Sequence, residues 1–221
     1  MGYLSKDYME FFKELAANNS KDWFDVNRKR YKDSVKDPFD KFIKDLIAEV
    51  NKIDNNIDIE PKDAIFRINR DIRFSKDKTP YKLNRSAIIS PKGRKDKAYP
   101  GLYLEVSPEH CRIYGGVYMP DKTQLYNIRE TIVKNPKKLE KLMNDKDFKS
   151  TFGEVRGEKN KVIAKEFKEA AAYHEIIMNK QFYWFCEMKP TEALKDDFLG
   201  KVVDAYKKNK KVMDYFVEAM K

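Results

Sequence analysis

The chain has 221 residues, 41% of them apolar and 37% charged, with a formal net charge of +10. A chain this long buries roughly 70% of its unfolded surface without needing staples, and its two cysteines point to a reducing cytoplasm rather than a disulfide framework. No apolar run approaches the roughly 18 residues of a membrane-spanning helix, and no signal-peptide core opens the chain. The positive charge raises the expectation of an anionic partner without naming one.

In chain order, Ser5 is placed to cap a first helix with Tyr8, Phe11, Phe12 and Leu15 on one face. Asn18-Asn19 ends it, and Ser20 caps a second helix anchored by Trp23, Phe24 and Val26, with Arg28 and Tyr31 following. Core packing is the ordinary role for Trp23-Phe24. Asp37-Pro38 reads as a restart, because Asp caps well and Pro is favoured at the first helical position. Phe39, Phe42, Ile43, Leu46, Ile47 and Val50 then keep helical spacing.

After a break at 54–58 comes the stretch Ile65 to Asn84. As a strand it puts Phe66, Ile68, Arg70, Ile72 and Phe74 on one face and Arg67, Asn69, Asp71 and Arg73 on the other. Ser75 ends the alternation, and Lys76 to Lys82 reads as a loop held extended before Pro80. From Arg67 to Arg85 seven cations face two acids, a net +5 within nineteen residues, half the charge of the chain. Arg70 falls on the apolar face, where an unpaired charge is costly. It therefore needs a carboxylate or an anionic ligand, and Asp71 and Asp77 are the nearest carboxylates. If Asp71 serves a buried arginine, Asp71→Ala destabilises strongly. A solvated face of charges with weak ion pairs is the plainer alternative.

This motif, Arg67-Ile68-Asn69-Arg70-Asp71-Ile72-Arg73-Phe74-Ser75-Lys76-Asp77-Lys78-Thr79-Pro80-Tyr81-Lys82, closely resembles the signature of an uncharacterised family, the domain of unknown function numbered 2461. Asn18-Asn19, Trp23-Phe24, Tyr31, Gly115-Gly116, Tyr118, Pro120 and Arg129 match further features of that family. The resemblance covers roughly residues 8 to 185. Where the family tends to show Pro-Lys-Gly-aromatic, this chain has Ala164-Lys165-Glu166-Phe167, so specificity differs if that run shapes a ligand site. The resemblance implies one soluble domain and brings no activity with it.

Further along, Ala87-Ile88-Ile89 is a short strand and 91–97 a basic loop. Leu102, Leu104 and Val106 alternate with Tyr103 and Glu105, and Ser107 to His110 turns this strand into Cys111-Arg112-Ile113-Tyr114. Gly115-Gly116 marks a bulge or a close backbone approach. Tyr103, Glu105, Arg112 and Tyr114 share a polar face that would floor a cleft beside the basic motif. Asp121 and Asn135-Pro136 open two more helices, 149–165 reads as the most mobile segment, and 181–188 as a late strand. Thr191 caps a terminal helical region whose apolar phase slips at 207–211, predicting a break.

These elements predict an α+β fold, a mainly antiparallel sheet with N- and C-terminal helices packed against it, as one domain over 1–221. Its parts are helices at 5–52, sheet and basic motif at 62–118, helices at 121–178, a strand at 181–188 and a helical region at 191–221. No phosphate-binding glycine loop, dinucleotide fingerprint, zinc cluster or nucleophile elbow occurs. His110 and His174 lack a second ligand at metal spacing, and Cys111 reads as buried, so neither a metal nor a cofactor is expected. The leading expectation is a site for a phosphate-bearing small molecule or nucleic acid. Its ligand-binding residues are Arg67, Arg70, Arg73, Ser75, Lys78, Tyr81 and Lys82. An enzyme with Asp71 or Asp77 as general base is the alternative, and a structural or protein-interaction domain whose charges pair internally is another.

Overall fold

The computed structural model describes residues 2–221. It is an α+β fold, 53% helix and 14% strand. The four strands are β1 (Arg85–Ile89), β2 (Leu102–Val106), β3 (Cys111–Val117) and β4 (Phe182–Met188). They form an antiparallel sheet in the order β1-β2-β3-β4. The chain divides into two compact units, one of Met1–Arg94, Tyr103–Ile113 and Glu187–Asp204, the other of Lys95–Leu102, Tyr114–Cys186 and Ala205–Lys221.

In the first unit, α1 (Lys6–Ala17) begins at Ser5, whose side chain accepts from the Tyr8 amide. Ser20 caps α2 (Lys21–Val26) in the same way through Trp23. Both caps satisfy amides that no helical carbonyl can reach. The expected restart at Asp37-Pro38 is not a restart. The helix runs on from Arg28 through a π-helical turn, Tyr31–Lys36, into α3 (Asp37–Asn51). Proline brings no amide hydrogen, and its ring would strike the carbonyl four residues back. The turn just before it therefore widens, and the Asp37 amide bonds to the Lys32 carbonyl instead. Tyr8, Phe11, Phe12, Phe39 and Phe42 are fully or almost fully buried. The Tyr8 hydroxyl donates to the Val106 carbonyl at 3.2 Å, and Phe42 stacks on Phe198 at 4.9 Å. Along the strands of this unit Leu104, Val106, Cys111 and Ile113 are buried, while Tyr103, Glu105 and Arg112 alternate with them and stay half-buried.

In the second unit, α4 (Lys122–Lys134) opens with a reciprocal Asp121–Gln124 capping box. It is followed by α5 (Pro136–Met143) and α6 (Lys146–Phe152). The 149–165 segment, read from the sequence as the most mobile, begins within the last turn of α6. After Phe152 its backbone pairs with the last strand and its approach, Arg156 with Tyr183 and Lys159 with Asn179. The final helix, α7 (Phe198–Ala219), crosses 207–211 without a break. The apolar phase is carried there by Asn209, which is fully buried between Tyr206 and Val212–Met213 on the helix's inner stripe. A polar residue in a core position makes the stripe look interrupted. Thr191 lies in a short 3-10 turn, Pro190–Leu194, ahead of that helix.

Gly115-Gly116 is a close approach, as its composition predicts. A Cβ on Gly115 would meet the Trp184 indole nitrogen at 2.5 Å. Gly116 sits at φ +124, and a Cβ there would lie 2.0 Å from the Phe182 carbonyl oxygen. Gly116→Ala should therefore destabilise the fold by at least about 2 kcal/mol, read from chemical denaturation midpoints. An unchanged midpoint would mean that the two strands part easily here.

Candidate functional site: a docked cationic arm

Residues 65–84 lie in the first unit and are not a strand of the sheet. Two extended limbs, 65–70 and 80–86, run antiparallel through isolated contacts. Ile65 bridges Ala87 and Asn69 bridges Tyr81. The Phe66 amide donates to Ser86 at 3.0 Å, Lys82 to Ile68 at 2.9 Å and Arg70 to Pro80 at 2.8 Å. Between them, 71–79 forms the tip of an arm. Regular alternation would drive Arg70 and Phe74 toward the core. Ile68 is buried, but beyond Arg70 the limbs stop pairing and the alternation is lost, because a guanidinium is costly to bury without several partners. Arg70 ends up only partly covered, and Phe74 is 96% exposed.

What holds the arm is the N-terminal Asn-Asn and Trp-Phe sequence. The Asn19 side-chain amide donates to the Tyr81 carbonyl at 2.9 Å and accepts from the Tyr81 amide at 3.1 Å, copying a strand's pairing with one side chain. The Tyr81 ring is stacked on Phe24, centroids 4.1 Å apart and 16° from parallel. Phe24 in turn packs on Tyr31 and Phe11. At the base, the almost fully buried Arg85 donates to the Phe66 carbonyl at 3.1 Å and to Asp40 at 3.3 Å, its guanidinium lying over Phe39. Tyr81, expected to contact a ligand, is thus 6% exposed and part of the core.

The charges of the tip are partly spoken for. Arg70 Nη1 donates to both Asp77 and Thr79, while no described hydrogen bond uses its Nε or Nη2 edge. Arg73 grips Asp71 through Nε and Nη2 at 3.0 and 2.7 Å. The Asp77 carboxyl is held down at about 2, first by the Thr79 amide and then by Arg70. Asp71 is likewise lowered to about 2, chiefly by the Arg73 guanidinium. Both aspartates therefore pair with arginines, as the charge alternation suggests, but Arg73 is 77% exposed and no buried cation depends on Asp71. The strong destabilisation expected of Asp71→Ala is replaced by a small one, as for exposed ion pairs generally.

Lys78 donates to the Ile72 carbonyl at 3.0 Å, which leaves its charge unmatched by that bond. Arg67 and Lys76 are exposed, and Arg67 lies near enough to Asp71 to help lower its carboxyl without a hydrogen bond to it. Ser75 is half-buried in the turn, its amide bonded to the Ile72 carbonyl. Lys82 turns back over the Phe66 ring, whose other neighbour is Tyr103 at 5.9 Å. The Tyr103 hydroxyl donates to Glu105 at 3.0 Å, and Glu105 also holds His110. Arg112 pairs with Glu187 at 2.6 Å on the same face. The polar sheet face thus adjoins the arm, as the sequence suggests. Among the described residues no group of three or more His, Cys, Asp or Glu stands together as a cation cage, and no helix is long and apolar enough to cross a membrane.

The chain belongs to the family described as a conserved hypothetical protein, DUF2461, whose model matches residues 7–215. No curated protein and no solved structure matches it. Several of its family-like residues have structural work. Asn19 and Phe24 dock the arm, and the buried Arg129 donates to the Ile177 and Asn179 carbonyls at 2.8 and 3.0 Å. In Ala164–Phe167, where the chain departs from the family's run, the Phe167 ring packs edge-on against Tyr126 in the second unit.

Sequence reasoning missed Phe74 as an exposed residue, Thr79 as the third member of the Arg70–Asp77 set, and the Asn19–Tyr81 dock. Only the proximity of Thr79 in sequence offered a signal.

Two measurements follow from this geometry. Asn19→Ala should cost about 1–3 kcal/mol by stranding the Tyr81 backbone groups, and should speed hydrogen exchange at the Tyr81 amide. Unchanged exchange there would show that Asn19 does not hold the arm. Because folding lowers the Asp77 pKa, its pairing contributes stability above the ordinary value of 3.8 that is lost as pH falls through about 2. Carboxyl NMR should give a midpoint near 2, and a midpoint near 3.8 would mean that the tip is unpaired in solution.

Proposed function

We propose that the arm binds a phosphate-bearing anion. The observation that carries this reading is a charge imbalance. Five cations on 67–78 stand with two carboxylates, and each carboxylate is hydrogen-bonded by one arginine. Arg67 and Lys76 remain exposed, Lys78 meets only a carbonyl in its described hydrogen bond, and Arg70 keeps one guanidinium edge. Internal pairing therefore does not neutralise the arm, which weighs against a purely structural knot. Guanidinium edges and exposed ammoniums are the groups that recognise phosphate.

The enzyme alternative draws less support. Asp71 and Asp77, held near 2 by their hydrogen bonds, are weak bases at neutral pH. The proposal needs no cofactor, and it takes the protein to act in the cytoplasm, which suits a chain with only two cysteines.

A ligand at a hundredfold excess over its Kd stabilises the folded state by about 2.7 kcal/mol, or about 5–10 °C in Tm for a domain of this size. Inorganic phosphate, pyrophosphate and nucleotides at fixed ionic strength should give such a shift for at least one of them. Arg67→Gln combined with Lys76→Gln should lose most of it, and Lys149→Ala, in the second unit, should keep it. No shift from any anion, or equal shifts in the double variant, would overturn the reading.

A further inference from the structure

Phe74 is the least covered large apolar side chain of the protein's described residues, 96% exposed at the tip of the arm. It is not a loose end, because the arm behind it is fixed by Asn19, Phe24 and Arg85. The Arg73 guanidinium lies 5.9 Å from its ring centre. Lys76 and Lys78 follow within four residues, and Arg67 is on the outgoing limb. A free aromatic face among cations is what a strand of unpaired bases requires, since bases stack on the ring while phosphates meet the charges.

We infer that the anion of this arm is a single-stranded nucleic acid, with a base stacked on Phe74 and its flanking phosphates held by Arg67, Lys76 and Lys78. This rests on the phosphate-binding reading above and names its ligand class. A mononucleotide in a walled pocket would have its ring clamped from two sides, whereas Phe74 offers one open face. In a duplex the base faces are already stacked, so the ring would have to wedge them apart. An anionic membrane is the other surface that suits a basic tip with an aromatic. It fits less well, because Arg73 and Ser75 on either side of Phe74 are polar and the nearest apolar residue, Ile72, is half-buried.

The test compares a labelled short thymidine oligomer, an abasic oligomer of equal length, and phosphatidylserine vesicles against the whole chain. Fluorescence anisotropy reads the oligomers and co-sedimentation reads the vesicles. The thymidine oligomer should bind about five- to a hundredfold more tightly than the abasic one. Phe74→Ala should remove that difference, and Phe74→Trp should keep it. With about three phosphate contacts, the logarithm of affinity should fall with a slope of about −2 against the logarithm of salt.

An exposed Phe74 makes loss of folding a poor excuse, and equal melting temperatures of the variants check it. Equal binding of both oligomers, indifferent to Phe74, would overturn the stacking and leave phosphate recognition standing. Failure of both oligomers together with inorganic phosphate and pyrophosphate would sink the phosphate reading itself. Phe74-dependent vesicle binding without oligomer binding would overturn the inference in favour of a membrane.

Discussion

The placing of the arm depends on one side chain meeting one backbone. Asn19 supplies both a donor and an acceptor to Tyr81, so the returning limb of the arm is paired as if by a neighbouring strand. The tip of the arm, 71–79, is mostly charged or polar and buries none of its side chains fully. Its order must come from where it is tied. The dock places polar groups at Asn19 and a flat ring at Phe24, and the Phe66 carbonyl at its base is satisfied by Arg85. These three attachments, with Ile68 and Tyr81 buried on the limbs, let a charged, irregular tip hold a definite shape.

Two arginines fifteen positions apart show what decides whether a cation goes inside. Arg85 is 4% exposed and has a carbonyl, a carboxylate and an aromatic face around it. Arg70 has Asp77 and Thr79, both on an exposed turn, and stays partly in water. Desolvation is repaid only when several groups share the charge. The tip is therefore left with pairs of small net worth, which an anion of higher charge can rearrange at low cost. Weak internal pairing and ligand binding are compatible here for that reason.

Much of the fold was legible in the sequence, and the exceptions have causes. The helix caps at Ser5, Ser20 and Asp121, the β2–β3 hairpin and the glycine approach to Trp184 and Phe182 all follow from local chemistry. Pro38 misled because a π-helical turn absorbs its missing amide, and Asn209 because a buried amide interrupts an apolar stripe without interrupting the helix. At the site, the cluster of cations and the Arg–Asp pairing were visible. The limbs were not, because alternation over Phe66–Phe74 imitates a strand while the burial that would enforce it stops at Ile68. Tyr81 and Phe74 exchanged their expected positions for the same reason. Which aromatic is covered depends on Phe24, more than fifty residues away.

The central claim is that the arm has cations its own carboxylates do not satisfy. Arginine side-chain NMR tests it most directly, because a guanidinium held by fixed partners rotates slowly and shows separate Nη hydrogens. Without ligand, Arg70 should give resolved, slowly exchanging signals and Arg67 averaged ones. Added pyrophosphate should then shift and slow Arg67 while Arg70 keeps its bond to Asp77. If Arg67 is already immobilised without ligand, or ignores the anion altogether, the arm is neutralised within the protein and the account is wrong.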